Sequence, residues 1–382
     1  MEMIDTARER PAPADADAIA HSRRLVERIV EVIGSSGGWI GFDRFMHGAL
    51  YEPGLGYYAA KPVKLGPAGD FVTAPEISPL FGRALAAQIA QCLQQLPPRV
   101  LEFGAGSGAL ASELIPELER LGVEPEDYGI VEVSSELRAL QQARLRDPRV
   151  RWLGEPPAGF EGVIVANEVL DVMPVKLFVK RNGQVLERGV QAQEGGLLPA
   201  DRPAGAELLE AVAQIEAEVG PLPDGYVSEV GLLARAWTAT LASWLRRGVA
   251  LLIDYGFPRR EYYHAQRAMG TLMCHFRHRA HADPFWWPGL NDITAHVDFT
   301  AIAQAARGAG LEVLGYTSQA RFLLDCGLLE LLREPGNPSR TTEALRLLSE
   351  AEMGELLKVL AVGKGLPGSL LGFRSGDRSH RL

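Results

Sequence analysis

Residues 100–110 read Val-Leu-Glu-Phe-Gly-Ala-Gly-Ser-Gly-Ala-Leu. A short apolar run carrying an acid, Glu102, meets three glycines at alternate positions, Gly104, Gly106 and Gly108. The apolar pattern from Ala109 to Leu121 then reads as a helix. Strand, glycine turn, helix is a nucleotide-binding arrangement, because glycines let the backbone approach a ligand and turn sharply into the helix. A dinucleotide fingerprint is G-x-G-x-x-G; here the third glycine arrives one residue early. Taken alone, the turn is equally a tight connection that binds nothing, so the flanking chain must decide.

Outward from the turn, apolar runs alternate with helical patterns. Strands are expected at Val100–Phe103, Tyr128–Val133, Val150–Leu153, Gly162–Ala166, Val249–Asp254, Leu311–Thr317 and Leu356–Val362, with Thr271–Phe276 strand-like. Helices are expected at Ala18–Ile33, Leu80–Leu96, Ser135–Arg146, Leu232–Arg247, Phe299–Ala309 and Ala320–Leu332. Such alternation predicts an α/β fold with a mostly parallel sheet of about seven strands. Asn182-Gly183 between two apolar runs signals a hairpin. Residues 176–227 therefore read as an inserted hairpin and helix. The full division is a disordered tail (1–16), a cap with a Gly-, Pro- and Tyr-rich loop region (17–97), a core (98–175 and 228–365) and a C-terminal tail (366–382).

Composition narrows the class. The chain has 382 residues, 47% hydrophobic, enough for a large core. Its net charge of −9 argues against duplex nucleic acid as a main partner, since phosphate binding needs a basic face. Cys92, Cys274 and Cys326 are far apart and form no C-x-x-C pair, so neither a disulfide framework nor a zinc site is expected. No apolar run approaches the roughly 20 residues of a membrane helix. The acidic start, with Glu2, Asp5 and Glu9, does not suit a signal or transit peptide, and a cytoplasmic setting is expected.

Ligands of a parallel α/β sheet sit beyond the carboxyl ends of its strands. The residues that matter are therefore the strand-end ones: Glu102, Glu132, Asn167 with Glu168, and Asp254. Glu132 lies 24 residues after Gly108, where an acid can accept hydrogen bonds from both ribose hydroxyls. The bland alternative is a solvated acid beside a helix N-terminus. Glu168 and Asp171 are three apart and share a side if their segment is a helical turn, where they could grip a cation. They could equally be stabilising acids at a helix start. His275, His278 and His281 tempt a metal reading, but their spacing does not converge on one ion and Arg277 and Arg279 stand between them; no metal is expected.

Together these motifs resemble the MidA-like family of class I S-adenosylmethionine (SAM) methyltransferases, whose SAM loop has the E-x-G-x-G-x-G form. The matching phrases run from Phe45 to about Val362. They include Tyr51-Glu52-Pro53, Gly69-Asp70-Phe71-Val72-Thr73-Ala74-Pro75-Glu76-Ile77-Ser78, Asn167-Glu168-Val169-Leu170-Asp171, Asp254-Tyr255-Gly256 and Asp292-Ile293-Thr294-Ala295-His296-Val297-Asp298-Phe299. The resemblance implies a seven-stranded methyltransferase sheet with an N-terminal cap. It implies a cofactor site of Thr73, Pro75, Glu76, Ser78, Glu102, Gly104, Ala105, Gly106, Gly108, Glu132 and Asn167, with the loop around Thr73–Ser78 closing over SAM. The family includes a mitochondrial complex I assembly factor that dimethylates a protein arginine. It therefore suggests a protein arginine N-methyltransferase acting on a partner such as a respiratory subunit, with a homodimer also open. The catalytic candidates are Glu168 and Asp171, with Asp254 and Glu229 behind them. The alternatives are a small-molecule methyltransferase and a SAM-binding assembly factor without turnover; a nicotinamide dehydrogenase is disfavoured by the glycine spacing. A bacterial member is expected over an organellar one.

Overall fold

The structure is a computed structural model describing residues 16–60, 73–194, 196–277, 279–334, 339–350, 352–366 and 368–382. Most of the expected N-terminal tail, the phrase Gly69–Val72 and His278 therefore lie outside the described residues.

The central sheet has eight strands, numbered here in chain order: β1 (Arg99–Phe103), β2 (Asp127–Val131), β3 (Val150–Leu153), β4 (Phe160–Asn167), β5 (Leu245–Phe257), β6 (Val297–Asp298), β7 (Glu312–Ser318) and β8 (Leu357–Lys364). Seven lie along one path, in the order β7-β8-β5-β4-β1-β2-β3, and β6 pairs in parallel with the end of β5. The expectation of about seven strands is thus corrected to eight: a two-residue strand is too short to leave a pattern in the sequence. β8 runs opposite to the other strands and pairs antiparallel with both β5 and β7.

The central strands read as unbroken apolar runs because both faces are covered. Val249 to Ile253 of β5 are fully buried. One face packs on the helices Pro79–Leu93 and Ala109–Arg120, the other on Leu232–Trp244 and Phe299–Gly308. The chain leaves β1 towards β2 and β3 and returns to β1's other side as β4. That reversal opens a crevice between the carboxyl ends of β1 and β4.

The inserted segment is larger than a hairpin and a helix. Strands Lys176–Arg181, Gln184–Gln193 and Gly196–Pro203 form an antiparallel meander, followed by helix Ala206–Val219 and a return strand, Val227–Val230. Helices Ala16–Ser35 and Phe42–Tyr51 pack on this sheet through Leu25, Ile29, Phe42, Phe45 and Met46. The second of these helices falls where only loop was expected. Its N-cap is Gly41, which offers no side-chain cap, so the usual start signal is missing.

The strand-like stretch is Met273–Phe276, which pairs antiparallel with Arg279–His281 and with Asp292–Thr294 in a separate small sheet. Two further stretches differ. The expected helix over 320–332 is two helices, Gln319–Asp325 and Leu328–Arg333, broken at Gly327 with φ +88°. The C-terminal segment expected as a tail packs on the core, with Leu370 and Phe373 buried. Among the described residues no helix is long and apolar enough to cross a membrane.

Candidate active site

The crevice holds a cavity of about 800 Å³. Its floor is the glycine turn. Gly104, Gly106 and Gly108 have φ of +60°, +55° and +82°, a left-handed conformation that favours glycine, which explains their alternate spacing. Gly104 and Gly106, with Ala105 between them, line the cavity. Gly108 does not: it is the N-cap residue of helix Ala109–Arg120 and turns the chain into it.

At the end of the cavity formed by β1 and β2 each acid has fixed partners. Glu102 accepts from the Tyr128 hydroxyl at 2.7 Å, and burial raises its pKa to about 7. Glu132 accepts from the Ser134 backbone N–H and from Gln141 Nε2, both at 2.9 Å. The same Gln141 Nε2 donates to Gly106 O at 2.9 Å, while its Oε1 accepts from Trp152 at 3.0 Å. Gln141 is fully buried and joins the glycine turn to the acid after β2. Nothing in the sequence marked it, because its partners come from three separate segments.

The segment after Thr73 forms one wall. Thr73, Pro75 and Glu76 line the cavity. Glu76 accepts from Arg144 Nη1 at 3.2 Å and from the Ser107 hydroxyl, which tethers this segment to the glycine turn. Ser78, expected in the cofactor site, is absent from the lining. Its Oγ accepts from Leu80 N as the N-cap of helix Pro79–Leu93 and donates to Glu343.

The opposite end, after β4, is built differently. Asn167, Glu168 and Asp171 line it, and Glu168 has a strained φ of +53°. Asp254 was expected among the catalytic acids, and here the structure corrects the reading. Its Oδ2 accepts from the backbone N–H of Val169, Leu170 and Asp171 at 3.1, 2.8 and 3.3 Å, and its Oδ1 accepts from Tyr255 N. Asp254 is buried behind the turn and positions it. Glu229 is likewise off the cavity, accepting from Tyr262 and Thr271.

Glu168 accepts from Ala74 N at 3.4 Å and from Asn167 Nδ2 at 3.2 Å. Burial, with Asp254 and Asp292 nearby, lifts its pKa to about 8. Burial and the neighbouring carboxylates Asp254, Glu168 and Asp292 push Asp171 well above the usual carboxylate range. Asn167 Oδ1 and Asp171 Oδ1 are buried and, among the described residues, have no hydrogen-bond partner. Buried acceptors in such a state await a donor.

Three more residues complete this end without having been singled out for a role from sequence. Asp292 is buried, lines the cavity and accepts from the Tyr58 hydroxyl at 2.9 Å. His296 stacks on Phe257 at 5.4 Å, and burial lowers its pKa to about 4, so it is neutral. Asp292 and His296 sit within a phrase that the sequence made conspicuous, but nothing local said that they face the same space. Of the histidine trio, His275 lines the cavity, whereas His281 bonds to Asn291.

A family model described as S-adenosyl-L-methionine-dependent methyltransferase matches residues 84–317, more than half of the chain. The chain belongs to this MidA-like family of SAM-dependent methyltransferases. This methyltransferase is similar to a Burkholderia thailandensis protein whose crystal structure holds S-adenosyl-homocysteine. The two are 49% identical with a TM-score of 0.92, over 98% of this chain and 100% of that one. It is also similar to the mitochondrial protein arginine methyltransferase NDUFAF7 of Mus musculus, at 28% identity over 92% of this chain and 86% of that protein. The Drosophila melanogaster homologue is 26% identical over 95% and 90%. The class I methyltransferase fold and the SAM cofactor follow from these matches. The cavity suits SAM in chemistry as well: its left-handed glycines leave open backbone, and its acids match a ligand carrying an ammonium and a sulfonium.

Proposed function

We propose that this methyltransferase methylates arginine side chains of a partner protein. The observation that carries the proposal is the set of buried acids at the β4 end of the cavity, with Asp171 Oδ1 unpartnered. A guanidinium offers five N–H donors and a positive charge, which matches carboxylates short of donors. The arginine activity of the NDUFAF7 relatives supports the same reading.

In this reading Glu132 accepts from the ribose hydroxyls, Glu102 faces the cofactor's amino-acid end, and the Thr73–Glu76 segment lies over it. Bound SAM supplies an electrophilic methyl with a neutral thioether as leaving group. The acceptor nitrogen forms a bond to that methyl as the sulfur–carbon bond breaks, and it gives up a proton. A guanidinium has a pKa above about 12, so it must shed that proton as it reacts. Glu168 or Asp171 accepts it, acting as general base. Asp254 holds the amides of residues 169–171 so that both acids keep their aim. Most of the rate then comes from holding nitrogen, methyl and sulfur in line.

The test is transfer of a radiolabelled methyl group from SAM to proteins of a cell lysate, followed by acid hydrolysis. Label in methylarginine is the expected result. A preparation that binds SAM yet labels no arginine would count against the proposal.

A further inference from the structure

Resting on the arginine reading and extending it, we infer that Asp292, oriented by Tyr58, is the residue through which the site selects a positively charged acceptor. The two belong to segments outside the core strands. Asp292 opens the strand Asp292–Thr294 of the small sheet, and Tyr58 follows the helix Phe42–Tyr51. Both line the same cavity as Glu168 and Asp171.

Tyr58 is fixed at both ends. Its hydroxyl donates to Asp292 Oδ1 at 2.9 Å, and its carbonyl accepts from Ser134 Oγ at 2.6 Å, two residues from Glu132. Its ring stacks on Tyr51, centroids 5.7 Å apart, and the Tyr51 hydroxyl donates to Val172 O at 3.0 Å. One rigid strut thus sets Asp292 relative to the turn that carries Asp171 and to the turn that carries Glu132.

Asp292 is close enough to raise the pKa of both Glu168 and Asp171 through its charge. Three carboxyls from two segments therefore face one buried space. They can be ionised together only with a cation between them. A neutral acceptor of the same shape would leave the mutual repulsion of these carboxyls unrelieved. The arrangement therefore discriminates by charge first and by shape second.

The experiment measures binding to the protein saturated with S-adenosyl-homocysteine, by calorimetry. The probes are N-butylguanidine (a guanidinium), n-butylamine (an ammonium) and N-butylurea, the uncharged near-isostere of the guanidine. Butylguanidine is expected to bind at least tenfold more tightly than the urea. Asp292→Asn should reduce that preference about tenfold, and Tyr58→Phe several-fold, since it leaves the carboxylate in place but frees its orientation. S-adenosyl-homocysteine affinity, measured on both variants, should stay within about threefold of the parent and report an intact fold. Equal binding of butylguanidine and the urea overturns the inference. So does an undiminished preference for butylguanidine in both variants. If butylamine binds at least tenfold more tightly than both other probes, the cation inference stands while the arginine reading of the function falls.

Discussion

The two ends of the cavity carry similar residues in opposite states. At the β1–β2 end Glu102 and Glu132 are held by hydroxyl, amide and backbone donors. At the β4 end Glu168 has two long contacts, Asp171 Oδ1 has none among the described residues, and each raises the other's pKa or shares neighbours that do. A carboxylate supplied with donors keeps one geometry, which suits a ligand that is the same in every cycle. An under-supplied one stores a demand that an incoming cation satisfies. The difference teaches that burial of an acid says little about function until its donors have been counted.

The largest effect should come from removing charge at the under-supplied end. Glu168→Gln and Asp171→Asn keep shape and lose the base, and each should lower kcat/KM by about 10²–10⁴-fold, the range typical of a lost general base. SAM affinity, read by calorimetry, should stay within about threefold. An equal loss of SAM affinity in both would merge the two ends into one unit and break the comparison.

Acidity should sharpen it further. Glu168 titrates near 8 in the free protein, so the base form fills as pH rises. kcat/KM should climb about tenfold per pH unit below pH 8 and level off above it. Stability carries the opposite sign. A carboxyl whose pKa is raised by folding favours the folded state below its unfolded pKa, and that support is lost as pH rises through the folded value. Glu168→Gln should therefore leave the unfolding free energy unchanged near pH 4.5 and raise it above pH 8. The gain should be on the order of 5 kcal/mol, from a pKa raised from 4.5 to about 8 at about 1.4 kcal/mol per unit. Chemical denaturation at the two pH values reads it, and a stabilisation confined to low pH would refute the burial account.

The sequence shows one end far better than the other. The glycine turn is a backbone device, so three left-handed residues write their own spacing into the chain. Strand-end acids follow from the alternation of strands and helices, which placed Glu102, Glu132 and Glu168 correctly at strand ends lining one cavity. Asp254 reads as a strand end in the same way, but its strand runs on to Phe257 and its carboxylate turns behind the loop, where three amides need an acceptor. No linear pattern distinguishes those two fates. Asp292, Tyr58 and Gln141 depend on contacts spanning 234, 76 and 35 residues, and such pairings exist only after folding.

Gln141 offers the mildest and most specific way to separate the ends. Its amide nitrogen is shared between Gly106 O and Glu132 Oε2, and its oxygen takes the Trp152 N–H. Gln141→Leu preserves volume and removes all three bonds. Gly106 O and Glu132 would each lose a donor, but both face the cavity and can recover one from water, so the full penalty of a buried unpaired group is not expected. What is lost is the coupling between the glycine turn and the acid after β2. SAM binding should weaken by about tenfold, or roughly 1.4 kcal/mol, near the lower end of what a lost hydrogen bond to a charged group costs. At saturating SAM the methyl-transfer rate should fall less than threefold, because no bond of Gln141 reaches Glu168 or Asp171. A larger fall in that rate than in SAM affinity would mean that the donor-rich end also aligns the acceptor, and that the contrast between the two ends is one of charge alone.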